Sequence, residues 1–411
     1  MFANRYLLAQ NKIFIKTLPD EQLSGLVVIP CYSEPDIFKT LDSLRACNFT
    51  CVIEVIVVVN YPETVNDTVT QANKSIFEQL EQYSANYSTH IIQFKPIWLG
   101  AVRKKFAGAG YARKIGMDEA VYRLNAVNNG NGFIASLDGD TLVEPNYISE
   151  LESVFHGDSK TRQVVVPFCH PKEGVEVDLK RAITLYELYM RYFRLAMEHI
   201  GWPWSYHTVG SAFAVRASVY VEQGGMNKKN AGEDFYFLNK LFPLGGTEVL
   251  KNTMVYPAAR LSARVPFGTG PAMKQIIESH FNYEVYTLHS ILDIQYFIDQ
   301  HSGLYNTSET EVEQFMDNAP GNLSEFWKQS EFKTNVLECN SKSASKESFQ
   351  KHLFRKFDAF QIVKYLNFAH EKHYVKSNVE IEFKALLTLK GMATKLDTAA
   401  ALLRIAETLD Y

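Results

Sequence analysis

This 411-residue chain lacks several of the features that most quickly identify a protein. Its five cysteines, at 31, 47, 51, 169 and 339, are odd in number and form no CxxC pair. That argues against a thiolate metal ribbon and reads as a reduced, cytoplasmic compartment. No apolar run approaches the length of a bilayer-spanning helix, and "MFANRYLLAQNKIFIKTLPDEQ" contains no signal-peptide core. A transmembrane segment is therefore not expected, while peripheral membrane contact stays open. The net charge of −4 gives no electrostatic case for nucleic acid as a partner. Walker A, HExxH and GxSxG patterns are all missing, which removes the commonest NTPase, zincin and hydrolase readings.

What is there alternates between strand and helix patterns. "LVVIP" (26–30), "EVIVVV" (54–59) and "HIIQF" (90–94) are short β-branched apolar runs, as strands buried on both faces tend to be. A fourth run starts at Phe133 and ends at Asp138, and "QVVVPF" (163–168) predicts a fifth strand. Between them, "SEPDIFKTLDSL" (33–44), "VTQANKSIFEQLEQY" (69–83) and "GYARKIGMDEAVYRL" (110–124) carry helical spacing. Repeated β-α-β units of this kind give right-handed crossovers and a mainly parallel sheet. Ligands of such sheets bind beyond the carboxyl ends of the strands, where Pro30, Asn60 and Asp138 lie. Leu179, Ile183, Tyr186, Met190, Phe193 and Met197 form an amphipathic helical stripe that reads as packing. Beyond about residue 275 the strand signal fades. Residues 302–348 read as polar and turn-rich, and helical spacing returns at Leu353–Leu366 and in "TAAALLRIAETL". The expected organisation is an α/β domain over 1–275 and a mostly helical region over 276–411.

Each chemical signal has a plain alternative. Asp138-Gly139-Asp140 repel one another unless a cation or water lies between them, so the pair reads equally as a metal ligand set or a solvated turn. It is not an EF-hand, since Leu142 stands where an oxygen ligand is needed. Glu233-Asp234 is a second acidic pair, and acids also suit a helix N-terminus. "KKFAGAGYARK" could offer amides and Arg113 or Lys114 to a phosphate, or be an exposed basic loop. "RLSARVPFGTG" (260–270) could close over a diphosphate or merely connect elements. Trp202 and Trp204 could face a sugar ring, although buried anchors are the commoner use.

In order along the chain these signals resemble the family 2 glycosyltransferases of GT-A fold. "VVIPCYSEPDIFKTLDSL" is similar to the family's opening strand and helix, "GYARKIGMDEA" to its G-x-x-x-A-R-N-x-G helix, and "IASLDGDTLVEPNYI" to its D-x-D segment. "GSAFAVRASVYVEQGGMNKKNAGEDFYFLNKL" resembles its acceptor loop and E-D pair, so the match covers about residues 25–245. The resemblance implies a Rossmann-like mixed sheet, a nucleotide-sugar donor, Mn²⁺ or Mg²⁺, and transfer to a carbohydrate or other hydroxyl acceptor. It further implies Asp140 on the metal and Asp138 at the ribose or in the metal shell. Asp234 would be the base of an inverting reaction supported by Glu233, Arg113 would lie near the diphosphate, and Pro30, Tyr32 and Glu34 would border the nucleoside. Arg260 and Arg264 are added as diphosphate clamps on their own sequence context.

The chain departs from the family at Asn60-Tyr61-Pro62-Glu63, where a D-D-G-S segment is usual, and this opens the identity of the base. Ser33 and Lys114 each stand where Asn is commonest. The Q-x-x-R-W motif of processive synthases is absent, so a non-processive enzyme is expected. Two other readings remain: a retaining GT-A transferase that needs no base at Asp234, and a catalytically silent nucleotide-sugar binding module.

Overall fold

Eleven strands appear among the described residues; the first nine in chain order are β1 (Leu23–Cys31), β2 (Val52–Pro62), β3 (Ile92–Val102), β4 (Phe133–Ser136), β5 (Leu142–Val143), β6 (Gln163–Val165), β7 (Phe213–Arg216), β8 (Thr247–Val249) and β9 (Val255–Tyr256). Seven of them form one sheet in the order β3-β2-β1-β4-β7-β6-β8, while β5 pairs only with β9. The computed structural model describes residues 1–10, 12–157, 160–228, 232–262 and 268–410. β1 runs parallel to β2 (Val27 opposite Val55) and to β4 (Leu26 opposite Ile134), and β2 runs parallel to β3. β7 is antiparallel to both β4 and β6, so the sheet is mixed but mainly parallel, as the sequence led one to expect.

The central strands are buried on both faces, with Leu26, Val27, Val28 and Ile29 of β1 and Val55 to Val59 of β2 almost fully covered. Their β-branched runs fit that setting, since neither face needs polar side chains. Helices Ile37–Arg45, Asp67–Tyr87 and Ala109–Ala126 fill the crossovers. The first starts four residues later than its pattern, because Ser33 sits in the left-handed region (φ 45°) and Pro35 falls in a turn before the cap at Asp36. β3 extends well past "HIIQF" through Pro96; a proline is tolerated there because β3 is an edge strand.

Helix Ala109–Ala126 is held tightly to the sheet. A Cβ at Gly116 would lie 2.4 Å from Val28 Cγ1, so only glycine allows this approach. Near its other end, Arg123 forms a fully buried ion pair with Glu54 of β2 and donates from Nη1 to the Thr17 carbonyl at 2.8 Å. These contacts fix the direction in which the helix start points.

The chain divides into two units, 1–179 with 208–272, and 180–207 with 273–411. The second is helical around an aromatic core in which Trp327 stacks on Phe332 at 4.2 Å and Phe297 meets Phe357 at 4.3 Å. Trp202 and Trp204 pack on Phe354 at 5.6 and 5.3 Å, which makes them anchors. The turn-rich expectation for 302–348 needs correction, because helices Glu309–Asp317, Gly321–Lys328 and Phe332–Ser341 occupy it. The overlooked start signal is Ser308-x-x-Glu311, a capping box with both reciprocal bonds present. Among the described residues, no helix is long and apolar enough to cross a membrane.

Candidate active site

The acidic pair at the end of β4 lies in a turn closed by the Thr141 amide donating to the Asp138 carbonyl at 3.1 Å. Its two carboxylates are committed to different arginines. Arg113 Nη2 donates to Asp138 Oδ1 at 2.6 Å, and Arg260 Nη2 pairs with Asp140 Oδ2 at 2.6 Å. Both aspartates lie just past the carboxyl end of a parallel strand, where the geometry of the sheet leaves room for a ligand.

Arg113 occupies the first turns of its helix and is only 2% exposed. Its Nη1 bonds to Glu233 Oε1, while Nε has no partner among the described residues. Glu233 and Asp234 open helix Glu233–Leu241, so the helix N-terminus adds favourable charge to both. The guanidinium thus joins the end of β4 to the start of that helix.

Asp234 sits against the same group. Burial raises its carboxyl pKa above the ordinary value; nearby Asp138 adds to the rise, and Arg113 and the Phe235 amide offset part of it. A Cβ at Gly210 would lie 2.9 Å from both Arg113 Nη2 and Asp234 Oδ2, so the glycine lets the turn before β7 come this close. The Gly210 carbonyl is fixed in turn by Ser136 Oγ at 2.6 Å. Gly210 opens the GSAF segment that the sequence matched to an acceptor loop, and its approach to Arg113 and Asp234 places it at this site.

A second cluster surrounds Arg260. Its Nη2 bonds to Glu34 as well as Asp140, and Nη1 lies 3.8 Å from Asp36. Glu34 and Asp140 therefore present carboxylate oxygens to a single cationic nitrogen. Hard anionic oxygens are the donor type that Mg²⁺ and Mn²⁺ take, so these residues fit such an ion by chemistry. The expected diphosphate clamp at Arg260 instead faces acids, and Arg264 lies outside the described residues.

Other residues singled out by the sequence take supporting positions. Pro30 pairs with Val58 in the sheet, next to Cys31 at the end of β1, and Tyr32 follows half-buried. Asn60 is buried and donates from Nδ2 to the Gly108 carbonyl at 3.3 Å, tying β2 to the loop that enters the Arg113 helix. Lys114 is not available to a phosphate. It pairs with Asp118 at 2.7 Å, whose Oδ1 also accepts from Tyr6 and Tyr220 at 2.6 and 2.9 Å. Asn73, which the sequence reading passed over, is fully buried on helix Asp67–Tyr87. Its Oδ1 accepts from the Ser33 amide and its Nδ2 donates to Ser33 Oγ, both at 2.9 Å, which holds the left-handed residue beside Glu34.

No family model and no curated protein matches the sequence. Solved structures similar to it include S. aureus TarS, at 15% identity over 82% of this chain and 92% of that one, with a TM-score of 0.39; TarS has also been solved in complex with UDP. Another is glucosyl-3-phosphoglycerate synthase from Mycobacterium tuberculosis in complex with Mn²⁺, UDP-glucose and glycerol 3-phosphate, at 14% identity over 62% and 78% with a TM-score of 0.30. Mouse xyloside xylosyltransferase 1 in its apo form is similar at 12% identity over 56% and 85%, with a TM-score of 0.26.

Proposed function

We propose that this protein transfers a glycosyl group from a nucleoside-diphosphate sugar to an acceptor hydroxyl, with inversion and with Asp234 as the base. The observation that carries this reading is the Arg113 bridge. One buried guanidinium joins Asp138 to Glu233, and the adjacent Asp234 has a carboxyl whose pKa burial raises. A raised pKa suits a general base, which must take up a proton near the operating pH.

In the reaction the acceptor oxygen bonds to the anomeric carbon as the bond from that carbon to the diphosphate oxygen breaks. The hydroxyl proton passes to Asp234, and the electron pair of the broken bond leaves with the diphosphate. Glu233, fixed by Arg113, orients the acceptor side. Asp140 and Glu34 are the residues to hold Mg²⁺ or Mn²⁺, whose positive charge, when bound, offsets the charge growing on the leaving group. Pro30, Tyr32 and Asn60 border the nucleoside in this reading, and Arg264 is assigned to the diphosphate. In this reading the unit of residues 1–179 with 208–272 is the catalytic part of a cytoplasmic enzyme.

The test is calorimetry of UDP, GDP, ADP, CMP and dTDP binding, with Mn²⁺ and with EDTA, to the protein and to Asp140→Ala. Metal-dependent binding of one diphosphate, lost in the variant, supports the reading. Binding of none would sink it and put a silent scaffold ahead.

A further inference from the structure

Arg260 lies where a metal ion at Asp140 would need to act. Its Nη2 is shared between Asp140 Oδ2 and the almost fully buried Glu34, with Asp36 at 3.8 Å from Nη1. The guanidinium keeps its charge at every physiological pH, so the acids beyond β1 and β4 have a permanent counter-ion before any ligand arrives. Arg260 follows β9 in irregular backbone, with its amide bonded to the Ala258 carbonyl at 3.2 Å, and its side chain is a quarter exposed. A guanidinium and a divalent ion cannot both sit on one carboxylate oxygen at bonding distance without strong like-charge repulsion.

We infer that Arg260 and a divalent cation shared by Glu34 and Asp140 are alternative occupants of those two carboxylates, so that cation binding requires Arg260 to leave them. The inference rests on the donor and metal reading above and goes beyond it, because it makes binding of the two ligands interdependent. A diphosphate offers the displaced guanidinium a new anionic partner. It therefore tightens cation binding, and by linkage the cation tightens diphosphate binding by the same factor. Arg260 acts here as a positioning residue that keeps the cation site closed to metal alone.

The experiment measures Mn²⁺ affinity directly, by the electron paramagnetic resonance signal of free Mn²⁺, for the full chain, Arg260→Gln and Arg260→Lys, with and without saturating UDP. Circular dichroism checks that the variants fold. Without UDP, Arg260→Gln is expected to bind Mn²⁺ about 10-fold more tightly than the parent, inside the roughly 5–150-fold range of coupled sites. UDP should then sharpen the parent's Mn²⁺ affinity more than that of Arg260→Gln. Arg260→Lys keeps the positive charge and should stay close to the parent. Equal or weaker Mn²⁺ binding by folded Arg260→Gln would overturn this inference while leaving the donor reading intact. Absence of Mn²⁺ binding by every protein, with UDP present, would overturn it together with the metal assignment.

Discussion

Two arginines serve the acids at the ends of β1 and β4, and they differ most in exposure. The Arg113 side chain is 3% exposed and bridges Asp138 and Glu233 from within a helix packed on the sheet. Arg260 is 26% exposed and reaches Glu34 and Asp140 from irregular chain. The first pairing is built in, since removing it would strand Glu233, whose side chain is only 5% exposed. The second also holds a buried acid, Glu34, but its guanidinium reaches water, so another cation can take its place. In the proposed reaction, that contrast would give fixed geometry to the side of Glu233 and exchange to the side of Asp140.

Breaking the buried bridge should have the largest effect. Arg113→Ala leaves Glu233 buried without its counter-charge and is expected to cost about 3–5 kcal/mol of stability, measured by urea unfolding. A loss of under about 1 kcal/mol would mean that the guanidinium is not structural. Asp234→Asn removes the base while keeping its shape. It should lower transfer by roughly 10²–10⁴-fold with donor affinity nearly unchanged; an active Asn variant would instead favour a retaining mechanism.

The pH dependence follows from the same carboxyl. Because the folded-state pKa of Asp234 is raised, the fold favours its protonated form, and that contribution is lost as pH rises through the folded pKa. Asp234→Asn should therefore match or exceed the parent's melting temperature at neutral pH, and the acid limb of the rate profile should lie above the ordinary carboxylate range. A melting temperature below the parent's at neutral pH would contradict the raised pKa.

Smaller effects test the support of each cluster. Asn73→Ala removes both bonds to Ser33 and should cost about 1–3 kcal/mol, with a weaker nucleotide interaction as Glu34 loses its frame. Arg260→Gln leaves a neutral donor beside the buried Glu34 and should cost about 1–3 kcal/mol, less than Arg113→Ala. If both arginine variants proved equally destabilising, the distinction between built-in and exchangeable charge would fall.

Local pattern made much of the first unit legible. β1 and β2 were readable because buried parallel strands leave long β-branched runs, and the Arg113 helix because its apolar and glycine positions follow the packing against Val28 and Val58. Asp138 and Asp140 stood out because charge at a strand end is locally anomalous, while Arg113, Glu233 and Asp234 were picked out by the motifs that resemble the family. Their pairing was not legible: which arginine takes which aspartate depends on residues about 25 and 120 positions apart, and no spacing encodes it. Asn73 was missed for the same reason. An asparagine inside a helix looks ordinary until the backbone brings Ser33 to it, and the GSAF segment does not tell that Asp234 packs on Gly210. In the second unit, helices at 309–341 hid behind polar surface residues, and only the capping box betrayed one of them.

The neighbouring cations Arg113 and Lys114 carry one last consequence. Successive residues on an α-helix project about 100° apart. These two are each paired, the first into the site and the second into the Asp118–Tyr6–Tyr220 network. A rotation that relieved one pair would break the other, so the helix has a single angular setting. The two ion pairs act as a parity check on its rotation, and Arg113 is aimed before any substrate arrives.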